Sequence, residues 1–402
     1  EAYLLLSAAY ADEMQYDKAL NVLRNGLEKV PSKIQILMEM GTLERLHGDL
    51  LKAEESFNRI LEIDSENIRA MQLLGLTLHE LDKLDQAMKY FERLFEKGAA
   101  TEETHLAYIT ALIKMQNLKK AEDELTALSS KNPDNKFGNA LLGYCYTLKG
   151  DFKKAEEFID NSLKADQNFT DGQYYKGILE AEKNELARAV DLLMRAVQIE
   201  GTNHEYRYKL AEIFFKSGQD DYRQQAKTHL GVIIKDYERE VTAAGKRVKK
   251  SPEPFLLRGK IFFIERNYSS ALSDFYKAME IDPSRLDILT DYATALYEAG
   301  RYDDSKSYFL QVLNRDKENV QANFYLGMIS LKSEANEKAM SYLQIVVKKE
   351  PLKYPEAHRK LGFIYKEKGM KPSAEREFKL YLKTQTENTP EKKEVLQVLD
   401  KM

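Results

Sequence analysis

The chain has 402 residues, and its 61 Lys and Arg side chains nearly balance its 65 Asp and Glu side chains, which leaves a net charge of −4. A protein that coats nucleic acid needs a large basic excess to neutralise phosphates, so this balance argues against a nucleic-acid partner. The sequence has one cysteine and six histidines, and it contains no phosphate-binding glycine loop, metal-ligand spacing or nucleophile motif. We therefore predict no catalytic residues, no metal and no cofactor, and no stretch is long and apolar enough to span a bilayer.

Alanine recurs along the chain at an interval of 34 residues, which is the first sign of an internal repeat. The regularly spaced alanines are Ala19, Ala53, Ala87, Ala121, Ala155 and Ala189. After a shift of phase the same position is held by Ala226, Ala271, Ser305, Ala339 and Ala374. The pattern predicts about eleven repeats, the first beginning before Glu1 and the others at Ile34, Ile68, Glu102, Lys136, Thr170, His204, Pro252, Leu286, Val320 and Pro355.

Each repeat has the pattern of two amphipathic helices joined by a tight turn. Twelve residues before most of these alanines stands a second small residue, such as Gly41, Gly75 or Gly143. Small residues at a fixed spacing indicate that the two helix backbones approach closely. The turn often carries glycine, as at Gly48, and proline often follows the second helix, as at Pro133, where a helix must stop. We therefore predict one helical hairpin for each repeat.

This pattern resembles the tetratricopeptide repeat, whose signature is a small residue in the first helix, alanine early in the second, an aromatic four residues later and a terminal proline. The resemblance covers the whole chain and implies an all-α fold, a right-handed superhelical solenoid of about eleven hairpins in which each stacks on its neighbours. It also implies that the first helix of each hairpin lines a concave groove. Ile109, where a small residue is usual, and Ser305, in place of alanine, depart from the signature and should only loosen local packing.

An insertion divides the predicted solenoid into two parts, and a terminal helix ends it. Repeats one to seven occupy residues 1–251 and end in an insertion at 235–251, and repeats eight to eleven occupy residues 252–388. The first part of the insertion should prolong the second helix of repeat seven until Gly245 ends it. Residues 389–402 begin with an N-cap threonine and a proline before an apolar stripe, which predicts a capping helix. Nothing comparable stands at the start of the chain, so we expect the native protein to extend further upstream.

Aromatic side chains recur on the face of the first helices that the resemblance assigns to the groove. Read at three- and four-residue spacing, this face carries Phe137, Tyr144, Tyr174, Tyr208, Phe215, Phe263, Tyr297, Phe324 and Phe363. One interpretation is that these rings are buried against the neighbouring hairpin, as aromatic residues at helical spacing usually are. The other is that they form a contiguous apolar strip that binds a peptide or a helix of a partner. Their repetition along seven consecutive repeats favours the second interpretation.

The end of the insertion carries a run of positive charge. Its cations are Lys246, Arg247, Lys249 and Lys250. Such runs are usually solvated loops, and the alternative is a docking site for an acidic partner or a lipid surface.

The function predicted from these features is a non-catalytic scaffold for protein–protein interaction that assembles a multiprotein complex. The alternatives are a self-associating platform, which would make the protein a homo-oligomer, and the targeting arm of a larger enzyme. Because no apolar run is long enough to span a bilayer, the chain is predicted to be soluble, and the sequence leaves open whether it is cytoplasmic or periplasmic. Its lysine-rich, tryptophan-free composition is typical of a bacterial source, where such proteins often assemble cell-envelope machinery.

Overall fold

A computed structural model describes residues 1–29, 33–240 and 247–402 of the chain. Within these ranges the chain is built of α-helices, so the predicted all-α class is confirmed. Contacts between Cα positions divide the chain into an N-terminal unit, Glu1–Lys250, and a C-terminal unit, Ser251–Met402. In each unit the helices pair into successive hairpins, and the second helix of one hairpin contacts the first helix of the next.

The described part of the N-terminal unit contains seven hairpins. They are α1 (Ala2–Asp12) with α2 (Tyr16–Lys29), α3 (Lys33–His47) with α4 (Leu50–Ile63), α5 (Ile68–Glu80) with α6 (Leu84–Glu96), α7 (Glu102–Lys114) with α8 (Leu118–Lys131), α9 (Lys136–Lys149) with α10 (Phe152–Ala165), α11 (Thr170–Glu182) with α12 (Leu186–Ile199), and α13 (His204–Lys216) with α14 (Asp220–Arg239).

The C-terminal unit, which the structure describes throughout, contains four hairpins and a final single helix. They are α15 (Glu253–Ile264) with α16 (Tyr268–Ile281), α17 (Leu286–Glu298) with α18 (Tyr302–Arg315), α19 (Val320–Lys332) with α20 (Asn336–Lys349), α21 (Pro355–Glu367) with α22 (Lys371–Lys383), and the single helix α23 (Pro390–Asp400). Each hairpin corresponds to one predicted repeat.

Close contact between the two helices of a hairpin explains the small residue of the repeat. A Cβ atom added to Gly143 on α9 would lie 2.4 Å from Cγ1 of Ile159 and 2.9 Å from the carbonyl oxygen of Ala155, both on α10. A Cβ atom added to Gly41 on α3 would lie 2.6 Å from the ring of Phe57 on α4. The predicted approach of the backbones is therefore confirmed at these hairpins.

The turn of every hairpin contains one residue with a positive φ angle. Glycine occupies this position at Gly48, Gly150, Gly218, Gly300 and Gly369. The other turns have Met14, Asp82, Gln116, Asn184, Arg266 and Glu334 there, with φ between 54° and 65°. Because a Cβ atom crowds the backbone in this left-handed conformation, these six residues are strained relative to glycine.

Replacing Glu334 with glycine is expected to stabilise the C-terminal unit by about 0.5–1 kcal/mol, because the strain relieved exceeds the extra entropy of an unfolded glycine. Urea unfolding of the full chain measures this change. The matched control is Gly300→Ala in the turn of α17 and α18, where φ is 79° and an added Cβ would meet no atom within 4 Å. This variant should lose stability through the backbone alone, and a shift of the same sign in both variants would contradict the explanation.

The second helix of the seventh hairpin is prolonged as predicted, but it ends earlier than the sequence suggested. Helix α14 has 20 residues, and its C-cap Glu240 adopts the left-handed conformation with φ 60°. The N–H of Glu240 donates to the carbonyl of Tyr237, whose side chain is the last buried one of the helix. The helix therefore ends where its buried stripe ends, and the expected terminator Gly245 lies outside the described residues.

Helix α23 packs on α22, where the sequence predicted a capping helix. The Thr389 hydroxyl oxygen accepts a hydrogen bond from the N–H of Lys392 at 3.2 Å, which caps the helix as expected. Val395 is fully buried in the last hydrophobic cluster, and Glu394 forms an ion pair with Arg359 of α21 at 2.7 Å. These contacts confirm the predicted cap.

Candidate functional site

The first helices of successive hairpins line the inner face of each unit. Helix α9 contacts α11, α5 contacts α7, and α17 contacts α19. In a curved stack of hairpins, the side on which successive helices lie closest together is the inner side. The aromatic residues predicted to face a groove all lie on these first helices.

In the N-terminal unit, two of the predicted groove aromatics lie on α9. Phe137 is 43% exposed, and its ring meets that of Phe169 edge to face at a centroid distance of 4.8 Å. Tyr144 is partly exposed and stacks on Tyr175 of α11, with centroids 4.7 Å apart and planes inclined by 18°. These rings therefore join neighbouring hairpins and keep part of their surface accessible.

Tyr174 on α11 contributes in a different way, because only 6% of it is exposed. Its ring packs on Tyr206 at 4.6 Å, and its hydroxyl donates to the Glu205 carboxylate at 3.1 Å. Tyr174 therefore supports its neighbours rather than offering a surface of its own. Tyr208 and Phe215, the two predicted groove residues on α13, are partly exposed.

The four groove aromatics of the C-terminal unit are all partly exposed. Each packs against a ring of its own hairpin or of the next one. The pairs are Phe263 with Tyr268 at 5.6 Å, Tyr297 with Tyr325 at 4.9 Å, Phe324 with Tyr354 at 4.8 Å, and Phe363 with Phe378 at 5.1 Å. Each of these rings is therefore partly packed, as the first interpretation of the aromatic pattern has it, and partly accessible, as the second requires.

Two tyrosines of the inner face were not identified from the sequence. Tyr175 follows Tyr174, and Tyr325 follows Phe324, so each forms a pair of consecutive aromatics at the same place in its repeat. Tyr325 stacks on Phe309 at 5.3 Å and contacts Tyr297. Two consecutive aromatic residues were the signal that could have identified these tyrosines. Reading the helix at three- and four-residue spacing misses the second residue of such a pair.

Burial and nearby carboxylates determine the protonation of this tyrosine cluster. Burial raises the pKa of Tyr144, and the Glu205 and Glu182 carboxylates raise it further. The pKa of Tyr175 is raised by burial and then by Asp171 and Glu205. Burial also raises the pKa of Asp171, although the hydrogen bond donated by the Tyr206 hydroxyl opposes this. The phenols are therefore neutral donors beside a group of acids.

The basic segment contacts the same unit instead of projecting from it. The backbone N–H of Arg247 donates to the carbonyl of His47 at 2.6 Å, and the Arg247 guanidinium pairs with Asp49 at 2.9 Å. The Lys249 ammonium donates to the backbone carbonyl of Glu80 at 3.3 Å.

Lys250, at the end of the segment, pairs with Glu240 at 3.4 Å. Lys246 lies outside the described residues. The described cations of this segment thus have partners within the chain. Docking of an acidic partner on them stays a prediction.

A cavity of about 360 Å³ lies between α3, α5 and the start of α7 on the inner face of the N-terminal unit. Leu46, which is 56% exposed, lines it together with Leu73 and Leu76. At its edge Arg45 pairs with Glu80 at 2.6 Å. The other lining residues are polar or charged, with Arg69, Glu102 and Glu103 among them, and none of the lining residues is aromatic.

Two features are absent from the described ranges. None of the helices there combines the length and the apolar character that a bilayer crossing requires. In the same part of the chain, no group of three or more His, Cys, Asp or Glu side chains is arranged to hold a metal ion.

Sequence comparison relates the chain to known repeat proteins. A sequence model described as tetratricopeptide repeat matches residues 262–322, and a second model with the same description matches residues 68–96 and 139–169. Tetratricopeptide repeat protein 8 of Caenorhabditis elegans is 24% identical over 194 residues, which cover 48% of this chain and 38% of that protein. Coatomer subunit epsilon of Dictyostelium discoideum is 28% identical over 167 residues, which cover 40% of this chain and 53% of that protein.

The chain thus spans about half or less of the length of these two relatives. Among solved structures, a tetratricopeptide repeat protein from Parabacteroides merdae is 17% identical, with a TM-score of 0.47. The match covers 65% of this chain and 98% of that chain.

Proposed function

Because this chain is a tetratricopeptide repeat protein, we propose that it is a non-catalytic scaffold that holds a segment of a partner protein on the inner face of its hairpins. The segment is an extended peptide or a helix, and the aromatic side chains of the first helices are its anchors. Holding a partner in this way serves the assembly of a multiprotein complex.

The row of partly exposed aromatic rings on the inner face is the observation that carries this proposal. Eight of the nine predicted groove residues retain accessible surface, with Phe137 at 43%. Aromatic rings that are packed on one side and accessible on the other are pre-organised, so that a partner gains contact area at little cost in side-chain entropy. Binding sites for peptides and helices commonly have this character.

The relatives support the same class of function. Coatomer subunit epsilon is by its name a subunit of coatomer, and it shares 28% identity with part of this chain. A fold alone does not determine function, so the aromatic inner face is the stronger argument.

A double substitution on α9 tests the proposal. The partner is first isolated with the intact chain as bait, from cells that naturally express it, and identified by mass spectrometry. Phe137→Ala combined with Tyr144→Ala should then weaken the purified complex by at least ~30-fold, because truncating an aromatic anchor commonly costs about 2 kcal/mol or more of binding free energy. Isothermal titration calorimetry measures the affinity.

The matched control changes two side chains on second helices, Tyr276→Ala with Leu310→Ala, which are 45% and 39% exposed in the intact chain. This variant should bind the partner within about threefold of the unmodified chain, since neighbouring surface contributes little outside a binding site. Urea unfolding of both variants separates binding from stability. If the α9 variant loses stability but keeps its affinity per folded molecule, its rings are core residues and the proposal fails.

A further inference from the structure

The inner face of α9, α11 and α13 combines two accessible tyrosine rings with three carboxylates. We call this surface the tyrosine–carboxylate patch and define it as Tyr144, Tyr175, Asp171, Glu182 and Glu205. Tyr144 and Tyr175 are stacked and partly exposed, and Glu182 and Glu205 are exposed. Burial is the main cause that raises the pKa of both phenols; Glu205 raises both further, Glu182 raises that of Tyr144, and Asp171 raises that of Tyr175.

No cation balances these carboxylates within the part of the chain that the structure describes. Asp171 accepts a hydrogen bond from Tyr206 and Glu205 accepts one from Tyr174, and neither bond brings positive charge. Asp171, Glu182 and Glu205 form no ion pair with any described residue.

Lysines of the same hairpins are paired with other carboxylates, and Lys183, which follows Glu182 in the sequence, pairs with Glu180 at 3.3 Å. On the same face of α13, Lys209 pairs with Glu212 at 2.9 Å, and Lys176 of α11 pairs with Asp160 of α10 at 2.8 Å. The patch is therefore negative and aromatic at the same place, although the net charge of the whole chain is only −4.

An arginine side chain is the group that such a surface recognises. Its planar guanidinium stacks on aromatic rings and can hydrogen-bond with carboxylates at its edge. An acidic or phosphorylated segment would be repelled, and a purely apolar segment would leave the carboxylates without partners.

We propose that the tyrosine–carboxylate patch binds an arginine side chain of the partner segment, stacked on the Tyr144–Tyr175 pair and hydrogen-bonded to Glu182 and Glu205. This inference rests on the proposed function, since it specifies the chemistry of the segment that the inner face holds. The partner's arginine would therefore bind at one defined place on the N-terminal unit.

Three synthetic peptides of equal length test the assignment. The first carries three arginines separated by leucine and serine, the second replaces each arginine with citrulline, and the third replaces each arginine with glutamate. Citrulline keeps the shape of the side chain but has no charge. Fluorescence anisotropy with the full chain should show that the arginine peptide binds at least ~10-fold more tightly than the citrulline peptide, with the glutamate peptide weaker still. The preference for arginine should shrink as salt is raised from about 50 to 300 mM.

Two sets of variants locate the binding. Glu182→Gln with Glu205→Gln keeps an acceptor for Tyr174 and should weaken the arginine peptide at least ~10-fold. The control Asp123→Asn with Asp191→Asn removes the same charge from exposed positions on second helices and should leave the affinity unchanged. Tyr144→Leu with Tyr175→Leu should abolish the preference for arginine over citrulline. Tyr144→Phe with Tyr175→Phe, which keeps both aromatic rings, should retain that preference.

The outcomes separate this inference from the proposed function. Equal affinity for the arginine and citrulline peptides, an equal loss in the control, or no binding of the arginine peptide at millimolar concentration would overturn the arginine site. In each of these cases the α9 test with the isolated partner still decides whether the inner face binds protein. If the α9 variant binds that partner normally, the proposed function fails, and with it the assignment of the arginine to that partner. Binding of the arginine peptide at the patch would then show only that this surface recognises arginine.

Discussion

Replacing Gly143 with leucine is expected to destabilise the N-terminal unit by about 3 kcal/mol or more. The first atom of the new side chain would already lie 2.4 Å from the Ile159 side chain and 2.9 Å from the Ala155 carbonyl oxygen. The carbonyl belongs to the backbone of α10 and cannot rotate away, so the two helices must separate. Urea unfolding should show the loss, and hydrogen exchange should show that it is largest at the amides of α9 and α10.

The matched control is Gly231→Leu in the interior of α14. A Cβ atom there would meet nothing within 4 Å, so the substitution only replaces a poor helix former with a good one. We expect this variant to gain about 0.5–1 kcal/mol. The same change at two helical glycines should thus have opposite signs, and a stable Gly143→Leu protein would contradict the close approach.

Replacing Arg258 with methionine is expected to cost the C-terminal unit about 3 kcal/mol at neutral pH. Arg258 of α15 donates two hydrogen bonds of 2.7 Å to the carboxylate of Asp274 on α16, which is only 3% exposed. Removing the guanidinium leaves this buried carboxylate without its charge partner. The cost is measured by urea unfolding at several pH values.

The stability lost in the Arg258→Met variant should decrease as the pH falls. Burial raises the pKa of Asp274, and the hydrogen bonds and charge of Arg258 oppose that rise. Without Arg258 the folded-state pKa rises further above the unfolded value of about 4. Over the window between these two values the folded state binds more protons than the unfolded state, so the stability of the variant falls as pH rises through it. The penalty should therefore be smaller near pH 4 than near pH 7.

Two further variants check this interpretation. Arg301→Met removes an exposed arginine that pairs with Asp304 at 2.7 Å, and it should cost less than about 1 kcal/mol. Adding Asp274→Leu to Arg258→Met removes the stranded carboxylate and should recover most of the lost stability. A pH-independent loss that the second substitution does not reverse would show that the packing of Arg258 matters and not its charge.

The sequence predicted the hairpins well because one physical requirement recurs in every repeat. Two helices that touch need a small residue at the contact and large apolar residues around it, and both leave a visible period of 34 residues. The hairpin turns were harder to predict. The left-handed residue is glycine at Gly150 but glutamine at Gln116 and methionine at Met14, so a search for glycine finds fewer than half of these positions.

A second regular feature has no single-residue signature in the sequence. In five of the described hairpins, a polar side chain near the start of the first helix donates to a backbone carbonyl of the loop before it. The five bonds run from Asn139 to Pro133, Gln173 to Gln167, Arg207 to Gly201, Asn323 to Lys317 and His358 to Pro351. Four residue types perform this one task, since any donor of suitable length can reach the carbonyl. No single-residue signature could therefore have predicted it.

The candidate site was predicted in part for a similar reason. The pattern placed Phe137 and Tyr144 on one face of the same helix, because helical spacing decides which side chains point the same way. It could not decide how much of each ring is covered, since Tyr174 and Tyr144 have the same residue type and differ in what the next helix places over them. The carboxylates beside the rings come from two helices, and their proximity is a tertiary property.

The contact between Arg247 and His47 joins parts of the chain that are 200 residues apart, 247 − 47, whereas the hairpins are made by contacts within about one repeat. Contacts that are close in sequence form early during folding, because little loop entropy is lost in making them. The pairing of Arg247 with Asp49 closes a loop that spans the intervening hairpins, so we expect it to form after them during folding.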